Sequence, residues 1–229
     1  MKALRVLIAC ETSGVMRRAF AARGHDVWSC DLLPTEDGSN RHIRGDVREI
    51  LDDGWELMAV MHPPCTRLCR SGRRWMSGPG KWTQPKQLPK GRTVECMRAE
   101  FEEGVSLFID CWRAPIERIA IENPEMNDLA RERMPVDLPA PQIVQPFWFG
   151  EPAYKATGFY LRGLPELVAT DILTEPERGS DLWKAWNAIH RAPPGPDRWK
   201  IRSRTFEGVA AASADQWGGY AVREKVQTA

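Results

Sequence analysis

Apolar positions in this chain fall into short runs separated by polar turns, and the period changes from run to run. Leu4-Arg5-Val6-Leu7-Ile8-Ala9 is an almost continuous apolar run, which predicts a buried first strand. Gly14 opens a helix through Val15-Met16-Arg17-Arg18-Ala19-Phe20, closed near Gly24. Asp26-Val27-Trp28-Ser29-Cys30-Asp31 predicts a second strand. His42-Ile43-Arg44-Gly45-Asp46 predicts a short third strand and turn, followed by a helical turn from Val47 to Leu51. Leu57-Met58-Ala59-Val60-Met61 predicts a fourth strand, residues 93–112 a long helix, and Arg118-Ile119-Ala120-Ile121 a fifth strand. This β-α-β alternation predicts an α/β fold with a doubly wound, mostly parallel, Rossmann-like sheet. Phe159-Tyr160-Leu161 and Leu167-Val168-Ala169 predict a β-hairpin toward the C-terminus, turning across Arg162-Gly163-Leu164-Pro165.

The ends of two strands carry unusual punctuation. Pro63-Pro64 stops the fourth strand, because neither proline can continue a ladder. Cys65 is thereby delivered at a strand's carboxyl end, where open α/β sheets place their chemistry. The fifth strand ends in Glu122-Asn123-Pro124 in the same way. A thiol and a carboxyl at the ends of two parallel strands are suited to gripping one small heterocycle from two sides. Two segments interrupt the rhythm. Residues 67–92 form a basic insert with Arg67, Arg70, Arg73, Arg74, Lys81, Lys86, Lys90 and Arg92, no Asp or Glu, and Trp75 and Trp82. Residues 174–204 hold Trp183, Trp186 and Trp199 with Arg191, Arg198, Lys200, Arg202 and Arg204, a small basic and Trp-rich segment that is a second candidate for contacting DNA.

Composition narrows the picture. The 229 residues suffice for one sizeable core, so a single domain over 1–229 is expected. A net charge of +1 gives no global signature of nucleic-acid binding, which leaves that role to local patches. No run approaches membrane-spanning length, and Met1-Lys2-Ala3-Leu4-Arg5 leads straight into a strand, so a cytoplasmic location and no membrane partner are expected. The six cysteines (Cys10, Cys30, Cys65, Cys69, Cys96, Cys111) have no zinc-ligand spacing and the four histidines are scattered, so no metal is expected. A monomer is expected.

The first strand, a small-residue turn (Thr12-Ser13-Gly14) and a helix have the layout of a nucleotide or adenosyl site. Asp31 ends the second strand, where a carboxylate can accept both ribose hydroxyls, and Asp46 follows where an adenine amino group can be read. The turn lacks the G-x-G-x-x-G pattern of dinucleotide sites. The arginines that follow Cys65 predict a basic surrounding that lowers its pKa.

Taken together, the set resembles the DNA (cytosine-5)-methyltransferase family, in a compact form like those encoded by phages. Pro63-Pro64-Cys65-Thr66 with Ser71-Gly72 resembles the family's Pro-Cys nucleophile motif. Glu122-Asn123-Pro124 resembles Glu-Asn-Val, and Gly45-Asp46-Val47 resembles the Gly-Asp-Ile step. Phe149-Gly150-Glu151-Pro152 with Lys155 and Tyr160 resembles the segment leading into Gln-x-Arg-x-Arg, and Gln216-Trp217-Gly218 resembles Gln-x-Gly-Asn. The turn Cys10-Glu11-Thr12-Ser13-Gly14 departs from Phe-x-Gly-x-Gly, Lys155 and Thr157 stand in place of two arginines, and Gly219 replaces an asparagine.

The resemblance implies a sheet of the S-adenosylmethionine-dependent methyltransferase type and methyl transfer to C5 of a cytosine flipped out of duplex DNA. It implies catalytic roles for Cys65, Glu122, Asn123 and Lys155, with Arg202 and Arg204 supplying the charge of the missing arginines. It implies a cofactor site of Cys10, Glu11, Thr12, Ser13, Gly14, Asp31, Leu32, Asp46, Val47, Pro63, Gln216 and Gly218. DNA contact is expected from Arg67, Arg70, Arg73, Arg74 and Trp75. Two alternatives stay open: C5 methylation of a free cytidine nucleotide, and a non-catalytic DNA-binding module that keeps the fold. Amino methylation ranks lower, because it favours Asp or Asn before Pro-Pro to accept from the exocyclic amine, and His62 holds that place.

Overall fold

The computed structural model describes residues 3–76, 88, 90–193, 195, 198–203 and 205–227. The amino-terminal half runs β1 (Arg5–Ala9), α1 (Val15–Ala22), β2 (Asp26–Asp31), β3 (His42–Arg44), a 3-10 turn (Val47–Ile50) and β4 (Leu57–Val60). It continues through α2 (Arg70–Arg73), α3 (Val94–Arg113), β5 (Arg118–Glu122), α4 (Asp128–Arg133), β6 (Gln142–Val144) and β7 (Thr157–Arg162). The rest is helical: α5 (Asp181–Trp186), α6 (Arg198–Ser203), α7 (Glu207–Ser213), a π-helical turn (Ala214–Gly218) and α8 (Gly219–Gln227).

The strands form one seven-stranded sheet in the order β3-β2-β1-β4-β5-β7-β6. The first five are parallel, and β7 runs antiparallel to both β5 and β6. The mostly parallel α/β sheet expected from the sequence is present and is compatible with a Rossmann-like fold. The order reverses between β1 and β4, which opens a crevice at their carboxyl ends. Val60 pairs with Ile121, so the loops that follow β4 and β5 leave the sheet side by side.

Alternation along the strands feeds two apolar layers. Leu7, Met58, Val60, Ile119 and Ile121 meet Phe101, Val105, Phe108 and Trp112 of α3. Val6, Ile8, Leu57, Ala59 and Phe159 meet Val15, Met16 and Phe20 of α1, Val209 and Ala210 of α7, and Trp217. The long helix begins where the sequence predicts, because the Thr93 side chain accepts from the Cys96 N–H (3.2 Å).

The expected hairpin takes another form. β7 pairs with β6, which precedes it, while Leu167-Val168-Ala169 is not a strand. Two glutamine side chains occupy the hydrogen-bonding groups of that segment. Gln142 both donates to the Leu167 carbonyl and accepts from its N–H (2.8 Å each). Gln216 does the same for Val168, at 2.8 and 2.7 Å. An amide side chain carries the same donor and acceptor pair as a peptide unit, so it can stand in for a neighbouring strand.

Candidate active site

Pro63 and Pro64 end β4, and the chain closes tightly onto Cys65. The Cys65 N–H donates to the Pro63 carbonyl (2.6 Å), and the Cys65 carbonyl accepts from the N–H groups of Leu68 and Cys69 (3.0 Å each). Two glycines let helices press on this turn. A β-carbon on Gly72 of α2 would overlap the Thr66 carbonyl, and one on Gly104 of α3 would lie 2.8 Å from the Pro64 carbonyl. A glycine inside a 20-residue helix costs about 1 kcal/mol against alanine. Here it is what lets the helix back the Cys65 turn.

The loop after β5 is tied to the Cys65 turn. The Asn123 N–H donates to the Gly158 carbonyl (2.9 Å), and the buried Asn127 reaches across. The Asn127 amide donates to the carbonyls of Arg67 (2.8 Å) and Cys69 (3.1 Å), while its oxygen caps α4 through the Ala130 N–H (3.0 Å). Asn127 N–H donates to the Leu68 carbonyl (2.7 Å), and Cys69 bridges Met126. The Asn123 Oδ1 is buried and unpartnered among the described residues.

Within this frame Cys65, Glu122 and Lys155 form one electrostatic group. Burial pushes the Glu122 carboxyl up to about 7, against the pull of the Lys155 ammonium. Burial holds Lys155 below its usual value, opposed by the charges of Glu122 and Cys65 and reinforced by Arg202. The Lys155 ammonium also donates to the Ser203 carbonyl (3.3 Å). Beside the pair lies a small pocket walled by Met61, Phe159, Phe206 and Val209, with Glu122, Lys155, Thr157, Thr205 and His62 as its polar lining. His62 Nε2 is 3.2 Å from Thr205 Oγ1. Burial and the Lys155 charge push the His62 ring down to about 3, so it is neutral at ordinary pH.

The expected activation of Cys65 by neighbouring arginines is not what the fold provides. Burial first, then the Glu122 charge and Cys69, pushes its thiol up to about 12. The arginines counted along the chain are matched by acids from other elements. Arg67 pairs with Glu100 (2.9 Å), Arg70 with Glu125 and Arg73 with Asp128. Arg74 lies over the Trp75 ring at 4.9 Å. An acid-free stretch of sequence is therefore not an unneutralised surface, because α3, the loop after β5 and the start of α4 bring their carboxylates to it. Lys81, Trp82, Lys86 and Arg204 lie outside the described residues, as do the side chains of Trp199 and Lys200. Arg202 is exposed on α6. Trp186 is buried against Phe147 (5.9 Å) and Tyr154 (5.3 Å), so it anchors its segment to the core.

At the other side of the crevice, Cys10 ends β1 with a φ of 55°, a left-handed turn. It feels the charges of Asp31 and Asp46, so the three ends of β1, β2 and β3 share one neighbourhood. Glu11 is fully buried, and its carboxylate accepts from the Met16 N–H (2.7 Å), the Arg17 N–H (3.2 Å) and the Ser13 hydroxyl (3.3 Å). It caps α1 in place of Gly14, which has no side chain for the task. Thr12 binds Glu36 by its hydroxyl and its carbonyl (2.8 Å each). Asp31 accepts from the Leu33 N–H (2.9 Å), and burial raises its carboxyl. Leu32 beside it is 69% exposed. Asp46 is held by the Arg48 side chain (3.0 Å) and caps the 3-10 turn through the Arg48 N–H (3.0 Å), with Val47 buried below.

Gln216 and Gly218 are placed elsewhere. Gln216 holds Val168, and Gly218 lies against the His25 ring, at the amino end of β2. The reason is Trp217 between them. It is fully buried, packs on Phe159 at 5.3 Å and donates to the Pro165 carbonyl (3.0 Å). That anchor fixes the Gln-Trp-Gly step away from the crevice.

Residues that sequence reasoning did not assign to the site are His62, Asn127, Thr205 and Phe206. The Asn127-Asp128 step had a readable signal, since it is a helix start. Thr205 and Phe206 gave none, because only the packing of α7 against the end of β4 brings them in. No protein-family model matches the chain, and no curated protein matches it.

Proposed function

We propose that the protein transfers a methyl group from S-adenosylmethionine to C5 of a cytosine in DNA, with Cys65 as the nucleophile. The observation that carries this reading is the electrostatic group in which Cys65 and the buried Glu122, beside the neighbouring ends of β4 and β5, meet Lys155 from the segment before β7. A thiol, a carboxyl that is half protonated near neutrality and an ammonium are the groups that activation of a pyrimidine ring at C6 needs. The sheet order, with an antiparallel strand between β5 and β6, is compatible with the methyltransferase type.

The β1–β3 edge fits the cofactor better than it fits a dinucleotide. The Glu11 carboxylate takes the first free N–H groups of α1, so a phosphate meets neither donors nor a positive field there. A sulfonium is cationic, and such a ligand suits that edge. Asp31 would hold the ribose, and the exposed Leu32 with Val47 would flank the adenine. When bound, the cofactor supplies an electrophilic methyl group.

The chain's own residues do the rest. The Glu122 carboxylate takes the Cys65 proton, and the thiolate bonds to C6 of the ring. Glu122, now protonated, donates to N3, which keeps charge from building on the ring and makes C5 nucleophilic. Lys155 stabilises the ionised members of the group. Once C5 has taken the methyl group, a base accepts the C5 proton, the C5–C6 double bond reforms as the Cys65 thiolate leaves, and the N3 proton returns to Glu122. A target in duplex DNA must first leave the stack, at a cost of a few kcal/mol.

A second reading, methylation of a free cytidine nucleotide, is favoured by the acid partners of Arg67, Arg70 and Arg73. One experiment separates the readings. The protein and its Cys65→Ala variant are incubated with methyl-labelled S-adenosylmethionine and either unmethylated duplex DNA or dCMP. Label at cytosine C5 in DNA, lost in the variant, is the expected result. Label on dCMP alone carries the second reading, and no label from folded protein overturns both.

A further inference from the structure

We propose that His62 reads the exocyclic amine of the target base, accepting a hydrogen bond from it at Nδ1. The inference deepens the proposed function and rests on it. His62 stands between the last residue of β4's apolar run and Pro63, so its ring enters the pocket from the same strand end that presents Cys65. Glu122 and Lys155 line that pocket with it, from β5 and from the segment before β7. The ring's Nε2 is engaged by the hydroxyl of the buried Thr205, at the start of α7. Its Nδ1 has no hydrogen-bond partner among the described residues.

The chemistry follows from these contacts. The role uses the tautomer in which Nε2–H donates to Thr205 Oγ1, which leaves on Nδ1 a lone pair that can only accept. An accepting nitrogen requires a neutral ring. Burial and the Lys155 charge secure that state, while among the described residues the Glu122 carboxyl is the only acid lining the pocket. A ring so hard to protonate is a poor proton carrier, which assigns it to recognition and not to removal of the C5 proton. In cytosine, C4 bears an amine beside N3. An acceptor next to the group that holds N3 therefore distinguishes cytosine from a base without that amine. A site built to bond such a group discriminates strongly against its absence.

The test uses the whole protein and two duplexes that carry a mechanism-based trap at a cytosine position the wild type methylates. One holds 5-fluorocytosine and the other 2-pyrimidinone, which lacks the amine. The rate of Cys65 adduct formation is measured on each, and the ratio of the two rates is compared between proteins. His62→Ala and Thr205→Val are expected to lower the cytosine-to-pyrimidinone ratio roughly 10-fold, and Thr205→Ser to restore it. The ratio is taken within one protein, so a reduced folded fraction cancels. If His62→Ala does not fold, the Thr205→Val and Thr205→Ser pair decides. An unchanged ratio in variants of an active enzyme overturns the role of His62. A wild type that methylates no cytosine overturns the proposed function instead.

Discussion

The carbonyl oxygen of Pro64 lies 2.8 Å from where a β-carbon on Gly104 would stand. Helix α3 thus braces the Cys65 turn through bare backbone. In an open helix Gly→Ala gains up to about 1 kcal/mol, but overpacking against a fixed carbonyl costs about 1–3 kcal/mol. Gly104→Ala is expected to be less stable than wild type by about 1 kcal/mol in urea unfolding, with adduct formation at Cys65 slowed. A variant as stable and as active as wild type would mean that α3 does not brace the turn.

Asn127 joins two loops and caps a helix with one side chain. Losing the cap alone costs about 1 kcal/mol, and two carbonyls lose their donors besides. Asn127→Ala is expected to destabilise by about 2–3 kcal/mol. Asn127→Asp keeps the cap acceptor but turns a buried carboxylate oxygen toward the Arg67 and Cys69 carbonyls, so it should be at least as destabilised as Asn127→Ala near neutral pH. Equilibrium denaturation of the three proteins checks the order.

Glu122 gives a pH dependence with a definite sign. Its folded pKa of about 7 lies above the ordinary carboxylate value, because burial disfavours the charged form. The unfolded chain ionises first as pH rises, so the cost to the fold is absent below about pH 4, grows from there to about pH 7 and is complete above it. Glu122→Gln removes that cost. The stability of wild type relative to this variant should therefore fall between about pH 4 and pH 7, by an amount on the order of 1–3 kcal/mol, and level off above that. A flat difference across that window would contradict a buried, neutral-range carboxyl.

Thiol reactivity should invert the order that the sequence suggests. Cys96 is exposed, and hydrogen bonding by Thr93 lowers its pKa. Cys65 is held as a thiol, up to about 12. With a disulfide reagent near pH 8 and no DNA, Cys96 should react first and Cys65 more than about 100-fold slower, since the thiolate is the reactive species. Peptide mapping of the early product reports which sulfur has reacted, and early labelling of Cys65 would show that its thiolate is already present.

Freeing the paired arginines should strengthen contact with DNA. Neutralising Glu125 and Asp128 together (Glu125→Gln with Asp128→Asn) releases Arg70 and Arg73. Duplex affinity at low salt is expected to rise several-fold, with a steeper salt dependence by about one to two counterions. No change in either quantity would separate these arginines from the DNA surface.

The sheet was legible because its strands are short apolar runs with distinct stops. Pro63-Pro64, Gly14 and Thr93 each mark an element end by local chemistry alone. The nearness of Cys65 and Glu122 was legible for the same reason, since Cys65 follows Pro63-Pro64 and Glu122 closes β5 just before Asn123-Pro124. What the sequence hid was neutralisation and competition across space. The acids opposite Arg67, Arg70 and Arg73 lie on other elements, and the Gln216 amide is drawn to a backbone 48 residues away. The hairpin failed on the same ground, because Leu167 and Val168 have strand-like composition but their ladder groups are claimed by side chains.

That last arrangement has a consequence for how the chain can vary. Gln142 and Gln216 grip the main chain of Leu167 and Val168, and of the two only Leu167 also buries its side chain in the core. Val168, 70% exposed, is therefore a position where side-chain identity is nearly free and proline alone is barred. The two glutamines are the reverse: each is the only residue type, with asparagine too short, that can mimic a peptide unit at that reach. An exposed position with little constraint on its side chain is thus held through its main chain by a residue that has little freedom to change.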